Sequence, residues 1–358
     1  MIFFILAIVL FLLGGVFFRD ENKNYLSKSQ SNVIKGFFIL LVFLSHAQQY
    51  ITNSGYSYER LGDSAYMKMN SAMGQLIVAM FLFYSGYGVM ESVKLKGDLY
   101  LKQFPQKRIL TTILNFDIAV IFFALLALAI STEFSWEKLF FAFLGWESIG
   151  NSNWYIFVIV LCYSSTWLAM LISSNYPHYR AFFFIQTIII LIIFFVLVSV
   201  KETWWYDTIF TYIVGSYYSY RKDYFERIAK KLYFKLLLVA SLSFIFFHNI
   251  IPLVNGKLFS SIPDVYYIVF GLNGNICAIL LALIIVLLSM KIELNSKWFE
   301  WLGKNLFPLY IYQRFAMIVV THYHNGLIPG SYPYLFVLIC FMATCPIAYL
   351  YKYVQIKL

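Results

Sequence analysis

Apolar runs of roughly 17–25 residues recur along this chain, and no other feature limits its fold so severely. A helix needs about 20 such residues to cross the roughly 30 Å hydrocarbon core of a bilayer. In lipid the backbone must satisfy itself, so only helices and closed barrels span. Barrel strands are about 10 residues long and alternate in polarity, whereas these runs are longer and apolar throughout. With 61% hydrophobic and 12% charged residues the chain is not a soluble globular protein. The expected class is all-α, a polytopic transmembrane helix bundle.

The pattern yields 11 spans, at about 2–18, 33–52, 73–93, 109–131, 153–173, 181–200, 204–220, 232–250, 267–290, 305–321 and 333–351. Residues 2–18 have no basic segment before them and no small-residue cleavage site after them, so they read as an uncleaved helix. With the 19–35 loop placed in the cytoplasm, the inner segments hold 21 Lys and Arg, the outer segments 5, and Arg314 lies inside a span, which accounts for all 27. Positive charge collects on the cytoplasmic side of membrane proteins. The split therefore predicts an outer N-terminus and an inner C-terminus. Residues 1–30 form an additional N-terminal helix and inner loop, and 31–358 the main bundle.

A net charge of +10 invites a nucleic-acid reading, but the basic residues are scattered over short loops with no basic module to grip a strand. Cys162, Cys277, Cys340 and Cys345 all fall in apolar runs and read as small core residues. His248, His322 and His324 fall at outer ends or loops and His178 in an inner loop. No His pair shares a span with a carboxylate at ligand spacing, so no metal site is expected.

The most informative stretch runs from Ser31 to Tyr50. Lys35 and His46 are 11 positions apart. At about 100° and 1.5 Å per residue they share a helix face, some 16 Å apart along the axis. A charge at the inner interface and an imidazole past mid-membrane suit a long ligand lying along the helix. The competing reading is an ordinary span with an interfacial lysine and an incidental polar histidine. Arg314 lies near mid-membrane at a comparable depth, and Asp117, behind Asn115, stands in its own span as a partner for it. Ionisable groups at that depth are costly and mark functional sites. Ser85-Gly86-Tyr87-Gly88 thins its helix for close packing or a break, and Glu91 answers Lys94 near the inner interface. Asn153-Trp154-Tyr155 opens a span with polar and aromatic groups that fit either a helix cap or a glycan-facing lip.

These residues resemble the family-3 integral membrane acyltransferases, which acylate bacterial surface glycans and related acceptors. The first family helix carries a basic residue, ten positions and a histidine, matched by Lys35 and His46. A Phe-rich patch ending Ser-Gly-aromatic is matched by Phe81-Leu-Phe-Tyr-Ser85-Gly86-Tyr87. The inner arginine pair is matched by Arg108, with Thr111 in the second position, and the polar-Trp-aromatic opening by Asn153-Trp154-Tyr155. Leu302-Gly303-Lys304-Asn305, followed by Leu309-Tyr-Ile-Tyr-Gln313-Arg314, resembles the penultimate span.

The resemblance implies an O-acyltransferase of the bacterial cytoplasmic membrane. It takes acetyl-CoA or another acyl-CoA as co-substrate with no bound cofactor, and its acceptor is a polysaccharide or lipid-linked oligosaccharide. His46 and Arg314 would be catalytic, His46 as general base on the acceptor hydroxyl or as acyl carrier. Lys35, Arg108, Ser85 and Tyr87 would bind the donor, and Asn153, Trp154, Tyr155 and Gln313 the acceptor. Membrane lipid, but no nucleic acid, is the other expected partner. A glycan or small-solute transporter is the rival class, since intramembrane charges and helix-breaking glycines serve transport equally well.

Overall fold

The computed structural model describes residues 8, 11, 13–59, 63–173, 179–324 and 326–358. The chain is 81% helical. Its helices are α1 (Lys28–Asn53), α2 (Asp63–Met73), α3 (Leu76–Phe104), α4 (Thr111–Ala129), α5 (Trp136–Phe143), α6 (Trp154–Ser173) and α7 (Tyr179–Val200). There follow α8 (Phe210–Tyr220), α9 (Lys222–Phe259), α10 (Pro263–Ser289), α11 (Lys297–Lys304), α12 (Leu306–Tyr323), α13 (Leu327–Ser331) and α14 (Pro333–Leu350). A π-helical turn over Pro105–Leu110 joins α3 to α4. Starts are set locally. Ser27, Ser135 and Ser296 cap α1, α5 and α11 by accepting from the amides of Gln30, Lys138 and Phe299, and prolines open α10 and α14.

Among the described residues eight helical segments are long and apolar enough to cross a membrane. They coincide with eight of the eleven expected spans. The run from Asn70 to Ala129 is divided at Gly97, whose φ of 54° lies in the region that glycine enters without steric cost. Of the expected span 2–18, residues 2–7, 9, 10 and 12 lie outside the described residues; its last three, Val16–Phe18, are not helical as expected but form a strand, because their backbone pairs with Ile292–Leu294. Segment 204–220 holds only the 11-residue α8, behind a 3-10 turn over Thr203–Trp205. That helix covers about 16 Å, half of a hydrocarbon core. Segment 305–321 forms the 18-residue α12, which Gln313 and Arg314 make too polar to rank with the eight.

Contacts between loops sort the bundle into two ends. At one end β1 (Val16–Phe18) pairs antiparallel with β2 (Ile292–Leu294), Val16 opposite Leu294. There too Arg19 meets Glu293 at 2.7 Å, Lys230 meets Glu21 at 2.7 Å, and Tyr25 donates to Glu226 at 2.9 Å. At the other end His248 Nε2 lies 2.8 Å from the carbonyl of Ala72, and Gly330 abuts Ser54. Lys201 donates to the carbonyl of Trp146 at 2.8 Å and stacks on its ring. Every one of these joins segments that the charge distribution assigns to the same side. Despite its length, α8 runs between the two ends. Trp205 packs near Trp146 with centroids 6.1 Å apart, while Tyr218 is 3.0 Å from Tyr25.

Helices touch backbone to backbone at two crossings. A Cβ on Gly36 of α1 would fall on the carbonyl of Phe299 in α11, and one on Gly303 of α11 on the carbonyl of Asn32. In the same reciprocal way Gly86 of α3 abuts the Tyr212 carbonyl and Gly215 of α8 the Phe83 carbonyl. Small residues drive helix association in lipid because they let backbones approach. Gly88 has open space around it, so only one of the two glycines in the Ser85–Gly88 patch serves packing. Gly86→Ala is therefore expected to lower the midpoint of thermal unfolding in detergent, by an overpacking cost of about 1–3 kcal/mol. Gly88→Ala is expected to leave it unchanged, with size-exclusion of heated samples as the measurement.

Candidate active site

Lys35 and His46 lie on one unbroken helix, α1, so the spacing places them on a common face as expected. The His46 Nδ1 is buried and has no hydrogen-bond partner among the described residues. Its ring faces Tyr310 of α12, with centroids 6.5 Å apart. From there an aromatic row continues across the bundle. Tyr310 meets Tyr155 of α6 at 5.4 Å, and Tyr155 meets Phe81 of α3 at 6.0 Å. Four helices thus present rings at one level, with the imidazole at its end.

Arg314 stands one turn beyond Tyr310 on α12, within electrostatic reach of His46. Its Nη2 donates to Oε1 of Gln49 at 2.8 Å, while its buried Nε has no partner among the described residues. The expected ion pair with Asp117 is not formed: Arg314 is held by Gln49, and Asp117 Oδ1 is itself buried without a partner there. Depth is the reason. Phe122 meets Tyr312 and Phe123 meets Phe315, so Arg314 is level with Phe122 and Phe123 of α4. Asp117 lies five residues earlier, about 8 Å along the axis. Asn115 does different work, pairing with both backbone groups of Ile356 at 2.9 Å and tying down the C-terminal segment.

Gln313 is buried; its Nε2 donates to the Tyr310 carbonyl at 3.0 Å and its Oε1 has no partner among the described residues. It shares the α1–α12 contact with Leu40 and Phe43 around a small void. Across α1 and α12 seven buried polar side-chain atoms lack partners among the described residues, and His46 Nδ1, Gln313 Oε1 and Arg314 Nε are three of them. Buried polar groups are nearly always satisfied, and unsatisfied ones concentrate where a ligand or a reaction supplies the partner.

The expected donor residues form a second layer. Ser85 is one turn along α3 from Phe81, and its Oγ lies 2.8 Å from the Tyr163 hydroxyl. Arg108 sits in the π-helical turn, donates from Nε to the Tyr100 hydroxyl at 2.9 Å, and has Tyr163 and Tyr212 within electrostatic reach. No acidic group pairs with Arg108 or Lys35 among the described residues. Tyr87 is half-buried near Tyr84 and Glu91, and Glu91 pairs with Lys94 at 2.5 Å as expected. The structure thus brings Ser85 and Arg108 together through Tyr163, and His46 and Arg314 together beside Tyr310.

Of the expected acceptor residues, Asn153 is buried and donates to the Gly145 carbonyl at 2.9 Å, holding the turn before α6. Trp154 packs on Tyr155 with centroids 6.0 Å apart, and Tyr155 is committed to the aromatic row. Gln49, Tyr310, Tyr163 and Tyr100 were not singled out in the sequence. Gln49 carried a signal, since Ser45, His46, Gln48 and Gln49 crowd one stretch of an otherwise apolar helix. The tyrosines carried none among 29 in the chain.

The family model described as an acyltransferase domain, that of the family-3 acyltransferases, matches residues 28–352. The chain belongs to this family. No curated protein and no solved structure matches it. The acyltransferase domain begins at the first residue of α1 and takes in every helix after it, so His46, Arg314 and their neighbours all belong to it. Eight apolar helices make it a multi-pass membrane acyltransferase.

A group kept for function costs stability where it stands idle. Gln313→Met removes an unsatisfied buried oxygen at nearly constant volume, so the acyltransferase should unfold at an unchanged or higher temperature in detergent. A fall of several degrees would contradict this, showing that the amide, through its bond to the Tyr310 carbonyl or a partner of its oxygen, stabilises more than the idle oxygen costs.

Proposed function

We propose that this chain is a membrane O-acyltransferase that moves an acetyl or other short acyl group from acyl-CoA to a hydroxyl of an exported or surface glycan. The observation that carries the reading is that, inside an acyltransferase domain, a buried imidazole nitrogen of His46 and a buried guanidinium nitrogen of Arg314 stand without partners among the described residues, both beside Tyr310 on facing helices. The chain would sit in the bacterial cytoplasmic membrane, with the end that carries Lys35 and Arg108 toward the cytoplasm. The excess of basic residues at that end supports this orientation. Acceptors would be polysaccharides or lipid-linked oligosaccharides presented at the opposite end.

In this reading Lys35 and Arg108 hold the phosphates of the donor, since both are cations without acidic partners among the described residues. The pantetheine arm passes Ser85 and Tyr87 and brings the thioester carbonyl to the level of His46. Imidazole suits the base because its ordinary pKa lies close to neutrality. His46 takes the proton of the acceptor hydroxyl as that oxygen bonds to the thioester carbon. The carbonyl oxygen becomes an oxyanion, to which Arg314 Nε donates. The carbon–sulfur bond then breaks, and the coenzyme A thiolate leaves with the proton held by His46. General-base catalysis supplies roughly 100- to 10,000-fold, and one oxyanion donor roughly 100- to 1,000-fold.

His46→Ala is therefore expected to reduce acylation of surface polysaccharide by at least about 100-fold at equal protein level. Mass spectrometry of polysaccharide from cells expressing either form measures this, and the mass difference names the acyl group. Undiminished acylation by His46→Ala would falsify the assignment.

A further inference from the structure

A cavity of about 320 Å³ opens at the end of the bundle opposite Lys35, between α1, α4, α12 and the segment 130–150 that contains α5. Its floor carries Tyr50 and Ile318. Tyr50 follows His46 by four residues on α1, and Ile318 follows Arg314 by four on α12. Residues four apart share a face one turn, about 5.4 Å, apart. The two helices run in the same direction. Residues 32–36 of α1 touch α11, just ahead of α12, while Ser54 at the far end of α1 touches Gly326 and Gly330, just behind it. Both steps thus lead the same way, and the cavity lies one turn beyond His46 and Arg314.

The lining is largely apolar, with polar groups at its exposed rim. Glu133 and Lys138 line the cavity, and neither takes part in an ion pair among the described residues. Ser148 also lines it, with its Oγ donating to the Asn151 carbonyl at 2.6 Å, while Asn151 Oδ1 accepts from the Ile149 amide at 3.1 Å. Gly150 has a φ of 111°, and a Cβ there would come within 2.9 Å of Ile318 Cδ1, so this strand of loop presses on the floor. None of the residues expected to bind acceptor, Asn153, Trp154, Tyr155 or Gln313, lines the cavity. Asn153 buttresses its wall through Gly145.

We propose that this cavity is the acceptor subsite and that it takes one uncharged, hydroxyl-rich pyranose ring. A carboxylate only accepts and an ammonium only donates, so Glu133 and Lys138 together match neighbouring hydroxyls of a sugar. Tyr50 and Phe134 supply apolar surface for the ring faces. The two opposite charges give no net attraction for a polyanion, and Glu133 opposes a ring that carries a carboxylate. The volume lies at the lower end of the roughly 300–1,000 Å³ usual for small-molecule sites. The hydroxyl to be acylated would then point down toward His46. This inference rests on the acyl-transfer reading above.

The test uses the full chain in lipid nanodiscs with acetyl-CoA and two probes, p-nitrophenyl β-D-glucopyranoside and p-nitrophenyl β-D-glucuronide. De-O-acylated surface polysaccharide from the expressing cells serves as a third acceptor. The wild type is expected to acetylate the glucoside with a KM at least about tenfold below that for the glucuronide. Glu133→Gln and Lys138→Gln should each raise the glucoside KM about tenfold while the KM for acetyl-CoA stays within about twofold. Ser148→Trp, which fills the cavity, should abolish glucoside acetylation in protein that still elutes as a single species. The proposal is overturned if all three variants keep the wild-type acceptor KM, or if the glucuronide is preferred. Coenzyme A release with the polysaccharide but acetylation of neither glycoside overturns the subsite and leaves the acyltransferase reading standing. No release with any acceptor overturns that reading itself.

Discussion

Two backbone-to-backbone crossings fix the relative positions of the groups in the candidate site. Gly36 and Gly303 seat α1 on α11, and Gly86 and Gly215 seat α3 on α8. Lipid offers no hydrophobic drive for one apolar helix to choose another, so close packing of small residues has to supply the selection. Because α12 follows α11 after a single residue, seating α11 also sets the register of α12 beside α1. That register puts Arg314 against Gln49 and Tyr310 against His46. The other crossing sets α3 on α8, whose Tyr212 meets Tyr163 and Thr166 of α6, and on α6 Tyr155 and Tyr163 face Phe81 and Ser85 of α3.

The result is a stack of three levels along the bundle. Arg108 and Ser85 meet through tyrosines at the first, His46 and Arg314 face the aromatic row at the second, and the cavity beside Glu133 and Lys138 forms the third. Each level is offset from the next by one or a few helical turns. Such a series suits a reaction whose two substrates arrive from opposite faces of a membrane and meet between them. In the proposed reading the charged groups would have different tasks, Lys35 and Arg108 holding phosphates and the partly engaged guanidinium of Arg314 meeting the developing charge.

Much of this was legible in the sequence, for reasons that differ by feature. Long apolar runs announce membrane helices because the bilayer sets their length, and eight of them emerge at the expected places. Lys35 and His46 could be placed on one face because nothing between them breaks a helix. What escaped depends on tertiary register. Asp117 and Arg314 each sit about one-third to halfway into a span, and only the ring pairs Phe122–Tyr312 and Phe123–Phe315 reveal that their levels differ. The β1–β2 pair comprises three residues a side, too few to display a period. Asn153 reads equally as a cap or a lip, and only the fold shows its bond to the Gly145 carbonyl, across the turn before α6. Glu133 and Lys138 look like ordinary surface charges until the fold sets them at the rim of a cavity.

The central claim is that donor and acceptor meet at His46. The most direct measurement is a structure of the full chain in lipid with acetonyl-CoA, a ketone analogue whose carbon–carbon bond replaces the scissile thioester bond. Phosphates are expected beside Arg108 and Lys35, the arm passing Ser85, and the ketone oxygen within hydrogen-bond reach of Arg314 Nε beside the His46 ring. An analogue bound with its acyl end away from His46, or entering from the Glu133 end of the bundle, would contradict it.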